Sequence, residues 1–397
     1  MIRPDTPGIS LRRLAIPLSL YGAAIGWGML QTLPVLPDDW AHPIWSEAEL
    51  VLGALPRLVS LSPAAGREGE MALIGHGLAF LLAVQMGRSN RRAARLIEGL
   101  GLSGGVVAAY GLVVYLSGTE KILWLDKWAY PGDLTATLVN RNHYATLAGL
   151  GLLCALAAIL IKLNQFGRRK CLRLVLGGRD WWLIGMLAAV PILATALLLT
   201  HSRAGAAASV LAAMVFLILA QGRKWQPILV QMALLIAFSL AVLAELDNRV
   251  GELSADTDQR LRVYLLGLEI LSERPWLGYG LGGFADAFQA IRPVSITQYW
   301  PQAHNSWLEL MIELGIPAAL CLFLAGGWAA MRCVAGVFLR HQNRELAALG
   351  VAASVLVGLH ALVDFSLQIP AVAVTFAAIL GVGVAQSWSS TRGQVVE

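Results

Sequence analysis

His304, in the segment PQAHNSWLELMIELGIP, is a residue whose type and setting suit proton transfer. Ser306 and Glu309 follow in the S-x-x-E spacing of a capping box, so the segment predicts a helix that begins at Ser306. The positive end of that helix's dipole favours a neutral ring on His304, and a neutral imidazole can take a proton from a hydroxyl. The bland alternative is a histidine satisfied by backbone groups at a helix start. Asn305 stands where it could orient His304 or a ligand. Arg203, in THSRAG, shares a tight turn with His201 ahead of another apolar run. A guanidinium there faces either an anion in a cavity or the lipid headgroups. Its small neighbours Ser202, Ala204 and Gly205 allow close approach by a second backbone or a ligand.

Two further segments carry polar groups. In TDQRLRVYLLGLEILSE, Arg260 and Arg262 fall in the first turn of a predicted helix, with Tyr264 one turn beyond Arg260. Forked guanidinium groups suit diphosphate oxygens, and they suit a solvated helix face equally well. HALVDFSLQIP puts His360 within an apolar run and Asp364 at its end, one turn later on a common face. Asp364 either pairs with Arg203 or Arg260 or ends the helix in water. LVNRNHYAT offers Asn140, Arg141, Asn142 and His143, with Asn142 a candidate N-cap. No two of His143, His201, His304 and Asp364 have a ligand-pair spacing, so no metal is expected. The glycines of GYGLGG lack the strand that precedes a dinucleotide fingerprint.

What must position these groups is a membrane protein. Of 397 residues, 57% are hydrophobic and only 14% charged, and the mean hydropathy is +0.64; no ordinary soluble class has that balance. Ten apolar segments approach the roughly 17 to 25 residues that a spanning helix needs: 14–36, 71–87, 96–117, 143–161, 181–200, 205–220, 228–245, 307–330, 346–363 and 370–388. Basic residues collect in alternate connections: Arg12 and Arg13; Arg88, Arg91, Arg92 and Arg95; Lys162, Arg168, Arg169, Lys170 and Arg173; Arg223 and Lys224; Arg332, Arg340 and Arg344. The positive-inside rule then predicts both termini in the cytoplasm. The net charge of +5 is accounted for by this asymmetry, without nucleic acid.

The larger connections, 37–70, 118–142 and 246–306, fall on the opposite face with most of the candidate residues. Trp27, Trp40, Trp45, Trp124, Trp128, Trp300 and Trp307 fall near helix ends on that side as an aromatic belt, and SEAELVLGALPRLVSL reads as an interfacial stretch. Cys154 and Cys321 are expected within helices, Cys171 and Cys333 in cytoplasmic loops, with no disulfide framework. The N-terminus reads as a retained first helix, and the chain as one membrane domain over 1–397.

Taken together, NRNHYAT, the S-R-A-G turn, the R-x-x-x-aromatic helix followed by PWLGYGLGGF, AHNSWLELMIELG and the closing VDFSLQIP resemble the O-antigen ligase and polymerase superfamily, over about 140–370. That resemblance implies an all-α, GT-C-like glycosyltransferase of the bacterial inner membrane with its site on the periplasmic face. The implied donor is a polyprenyl-diphosphate-linked glycan, the acceptor a glycan or lipid, and the transfer inverting, without metal or other cofactor. His304, Arg203 and Arg260 would be catalytic. Arg262, Asn305, His201, Asn142 and Asp364 would bind substrate. Polysaccharide assembly proteins are implied partners. Rivals from other classes are a solute transporter, whose charged groups would sit near the midplane, and a non-catalytic subunit of an assembly complex.

Overall fold

A computed structural model describes residues 11–221, 250–294, 296, 298–340 and 344–388. Among them, seven helices are long and apolar enough to cross a membrane: α1 (Leu11–Gln31), α3 (Pro63–Gly87), α4 (Asn90–Leu116), α5 (Arg141–Phe166), α7 (Trp181–Leu199), α8 (Arg203–Gln221) and α12 (Ile316–Leu339). Two shorter apolar helices, α13 (Glu345–His360) and α14 (Pro370–Ala385), match the last two expected spans. The expected span at 228–245 lies outside the described residues. Between these run the short helices α2 (Ile44–Leu52), α6 (Arg168–Leu176), α10 (Phe284–Ile291) and α11 (Ser306–Leu314), and the longer α9 (Val250–Glu273). A two-residue hairpin, Lys121–Ile122 against Leu125–Asp126, is the one strand pair among the described residues.

The chain divides into two compact units. One comprises the described residues of Met1–Leu78, Gly251–Trp328 and Ala361–Phe365; the other, those of Ala79–Val250, Ala329–His360 and Ser366–Glu397.

In the first unit, the helix expected over 307–330 is broken. α11 stops at Gly315 (φ 75°, ψ 159°) and α12 starts at once. That conformation is essentially glycine's alone. A Cβ on Gly315 would lie 2.5 Å from the carbonyl oxygen of Trp276 and 3.2 Å from Gly278 N, so the glycine-rich turn 278–283 packs directly on the break. The carbonyls that the break frees are satisfied. Glu313 O accepts from Gly280 N at 2.8 Å and from Gln31 Nε2 at 3.0 Å, and Leu314 O accepts from the Trp27 indole at 2.8 Å. Trp27 therefore serves as a structural donor. The interfacial stretch is helical only to Leu52, where Gly53 (φ 82°) ends α2 with Leu50, Val51 and Leu52 exposed.

In the second unit, α5 is buried along most of its length. Its small residues permit close helix contact: Gly151 meets Gly104 of α4 backbone to backbone, and a Cβ on Gly149 would collide with Ser209 of α8. Lys162, near the end of α5, lies 2.8 Å from Asp180, which caps α7, and 3.9 Å from Glu98 of α4. The four cysteines are free, and Cys333 lies inside α12 rather than in a loop.

Candidate active site

Within the first unit the His304 segment is held by three hydrogen bonds, one from α9 and two to the 361–364 stretch. The Tyr264 hydroxyl donates to His304 O at 2.9 Å, Ser306 N donates to Ala361 O at 2.9 Å, and Ser306 Oγ donates to Asp364 O at 3.0 Å. His304 has φ 53°, a left-handed conformation that costs a non-glycine residue about 1–3 kcal/mol and persists only where its surroundings hold it. Its ring stands edge-on to Trp300 and Phe365, with centroids 5.4 and 4.9 Å away. His304 Nδ1 lies 4.0 Å from Oδ1 of Asp364, whose side chain is wholly buried. The carboxylate thus lies beside the imidazole, within ion-pair reach but beyond hydrogen-bond distance.

Helix capping here differs from the S-x-x-E expectation. Asn305 is the N-cap, its Oδ1 accepting from Trp307 N and Leu308 N, both at 3.1 Å. Ser306, one residue later, is free to bind Asp364 O. Glu309 accepts from Ala303 N at 2.8 Å and braces the backbone ahead of His304. Both Asn and Ser are strong N-cap residues, so spacing alone could not choose between them.

Arg260 and Arg262 lie well inside α9, which begins at Val250, and not in its first turn. Arg260 shares a helix face with Tyr264 and donates to Val363 O at 3.4 Å, beside Asp364. Arg262 is exposed on another face. The structure thus gathers His304, Asn305, Arg260 and Asp364, but sets Arg262 apart. Asp364 and His360 do not share a helix: α13 ends at His360, which hydrogen-bonds Thr146 Oγ1 through Nδ1 at 2.6 Å in the second unit.

In the second unit the THSRAG turn repeats a feature of the His304 segment. His201 also has φ 53°, also precedes a helix by two residues, and also faces a carboxylate, with Nδ1 2.7 Å from Asp133 Oδ1. Asp133 Oδ2 accepts from Arg141 at 2.9 Å. Burial raises the Asp133 carboxyl, but hydrogen bonds from His201 and Arg141 together with the Arg141 charge outweigh it, and the net shift is downward. Asn140, not Asn142, caps α5. Asn142 Oδ1 accepts from Ser202 Oγ at 2.8 Å and so ties α5 to the turn carrying Arg203. A Cβ on Gly205 would come 2.6 Å from that of Ala145, which accounts for the glycine after Ala204. Asp133 was not singled out in the sequence; a lone acid in a loop 68 positions from its histidine leaves no local signal. Among the described residues, no group of three or more His, Cys, Asp or Glu is placed to hold a metal ion.

Residues 187–323 match the family model of the O-antigen ligases. Over that stretch the chain is similar to the O-antigen ligases. The matched stretch contains His201, Arg203, Arg260, Arg262, His304 and Asn305, while Asn142, Asp133 and Asp364 lie outside it. No curated protein matches the chain. Family and helices together describe a multi-pass membrane enzyme of the ligase or polymerase type.

Proposed function

We propose that the chain transfers or polymerises a glycan from a polyprenyl-diphosphate donor on the non-cytoplasmic face of the inner membrane, with inversion at the anomeric carbon. The observation that carries this reading is the strained His304, which lies within the family-matched stretch and is seated against the buried Asp364 that follows it. The acceptor hydroxyl attacks the anomeric carbon while the bond from that carbon to the diphosphate oxygen breaks. The hydroxyl proton passes to His304, and the electron pair of the broken bond leaves with the polyprenyl diphosphate.

Arg260 neutralises charge building on the leaving oxygen, and Arg203 supplies a second guanidinium. Arg262 has a lesser part, as an exposed cation that draws in the anionic donor. Asp364 orients His304 and stabilises its protonated form, and inversion gives it no nucleophilic role. Asn305, His201 and Asn142 hold the backbone that presents these groups. In this reading guanidinium groups provide the positive charge a metal would otherwise bring. Basic connections in one set of loops and candidate residues in the other support the assigned face.

The test is incubation of purified protein with a polyprenyl-diphosphate oligosaccharide and saccharide or lipid acceptors. Transfer with stoichiometric release of polyprenyl diphosphate and an inverted linkage supports the reading. Retention of configuration, or no transfer to any acceptor by correctly folded protein, overturns it.

A further inference from the structure

The second unit holds a cavity of about 280 Å³ beneath the hairpin loop, lined by Tyr115, Thr119, Glu120, Lys127, Asp133 and Thr135 among others. Its residues, 111–136, lie outside the family-matched stretch. Its size falls just under the roughly 300–1,000 Å³ of sites for drug-sized ligands, which suits one or two sugar rings rather than a long chain.

The polar groups of the wall are fixed before any ligand arrives. Lys127, with a side chain only 4% exposed, lies 3.2 Å from Glu120 Oε2 and donates to Asp133 O. Gly132 N donates to Glu120 Oε1 at 2.8 Å. These contacts leave capacity over: a carboxylate offers about four lone-pair sites and an ammonium three donors. The Glu120 side chain is 48% exposed, and Thr119 and Thr135 add hydroxyls that donate and accept. The charge balance decides the ligand class. Lys121 and Lys127 are offset by Glu120 and Asp133, and Asp133 is further engaged by Arg141 and His201. With Arg141 included the cluster sums to only +1, and Lys127 and Arg141 are already held in ion pairs, so the wall is poor for a diphosphate and good for a neutral, hydroxyl-rich molecule.

We propose that this cavity is a carbohydrate subsite that binds a neutral sugar of the acceptor. The inference rests on the glycan-transfer reading above for the word acceptor, and on the cavity alone for sugar binding. The wall residue Asp133 hydrogen-bonds His201, two residues before Arg203, so occupation of the subsite is relayed to the THSRAG turn.

The test uses saturation-transfer NMR on the full chain in nanodiscs, with maltotriose and chitotriose as neutral probes and inorganic pyrophosphate as the charged competitor. Wild type should transfer saturation to at least one trisaccharide, and pyrophosphate should not displace it. Thr119→Trp, at an exposed position on the rim, should weaken binding by about tenfold or more with the thermal midpoint unchanged, and Glu120→Gln should weaken it while also lowering the midpoint, because Lys127 loses its ion-pair partner. In the transfer assay Thr119→Trp should raise KM for the acceptor and leave KM for the donor unaltered. The proposal is overturned by no signal from either trisaccharide, by displacement with pyrophosphate, or by unchanged binding in both variants. Sugar binding that Thr119→Trp abolishes, in a protein that transfers nothing, would uphold the subsite and refute the enzymatic reading separately.

Discussion

Replacing Gly315 by alanine tests the break that separates α11 from α12. The native conformation, φ 75° and ψ 159°, costs a residue with a side chain about 1–3 kcal/mol. The added methyl would lie 2.5 Å from Trp276 O and 2.7 Å from Trp276 C. Both are backbone atoms that cannot swing aside, and such overpacking costs a further 1–3 kcal/mol or so. The sum, roughly 2–6 kcal/mol, is a large share of the about 5–15 kcal/mol that holds a protein folded. Gly326→Ala is the matched control, since a Cβ there meets nothing within 4 Å and alanine favours the helix by about 1 kcal/mol. Both variants would be unfolded with denaturant in detergent micelles and followed by tryptophan fluorescence. Gly315→Ala should unfold at clearly lower denaturant than wild type, and Gly326→Ala at the same concentration or higher. Indistinguishable curves for the two variants would refute the argument that backbone packing, rather than helix propensity, sets this break.

Other outcomes follow from the same geometry. Asn305→Ala removes the acceptor for Trp307 N and Leu308 N and should cost about 0.5–2 kcal/mol, with Asn305→Asp close to wild type in the same unfolding assay. Asp133, whose carboxyl is held below its usual range, contributes stability that is full above the ordinary carboxylate pKa and lost as pH falls through the lowered folded value. Acid unfolding of wild type should therefore steepen below the ordinary range, and Asp133→Asn should be destabilised at neutral pH while losing that acid-dependent step. Arg260→Ala, beside Val363 and Asp364, should lower transfer by about 10²–10³-fold. Arg262→Ala, at an exposed position, should lower it by less than about tenfold, with the loss greatest at low ionic strength.

Much of this architecture is legible in apolar run length, because a bilayer demands about 20 consecutive apolar residues whatever their order. The failures occur where distant backbone decides. Gly315 lies inside an apolar run and reads as a tolerated helical glycine; only the Trp276 carbonyl, brought in by the 278–283 turn, makes it a break. His360 and Asp364 share a helical spacing, yet α13 ends between them, with His360 bound to Thr146. The helix start after His304 was legible because capping chemistry is local, although the cap is Asn305 and not the Ser306 that the S-x-x-E spacing indicated. The Asp133 contact with His201 was not, since no spacing rule links a loop acid to a turn 68 residues on. Arg260 was recognisable by type, and its separation from Arg262 is simple i, i+2 helix geometry; what the sequence missed is that α9 begins at Val250, ten residues upstream of Arg260.

The central claim is that His304 receives the acceptor proton, and the most direct measurement is the single-turnover transfer rate of His304→Ala against wild type at saturating donor and acceptor. A positioned base contributes about 10²–10⁴-fold, so the account predicts a rate lower by that factor, with donor binding and the unfolding curve unchanged. A His304→Ala protein that transfers glycan at the wild-type rate would contradict it.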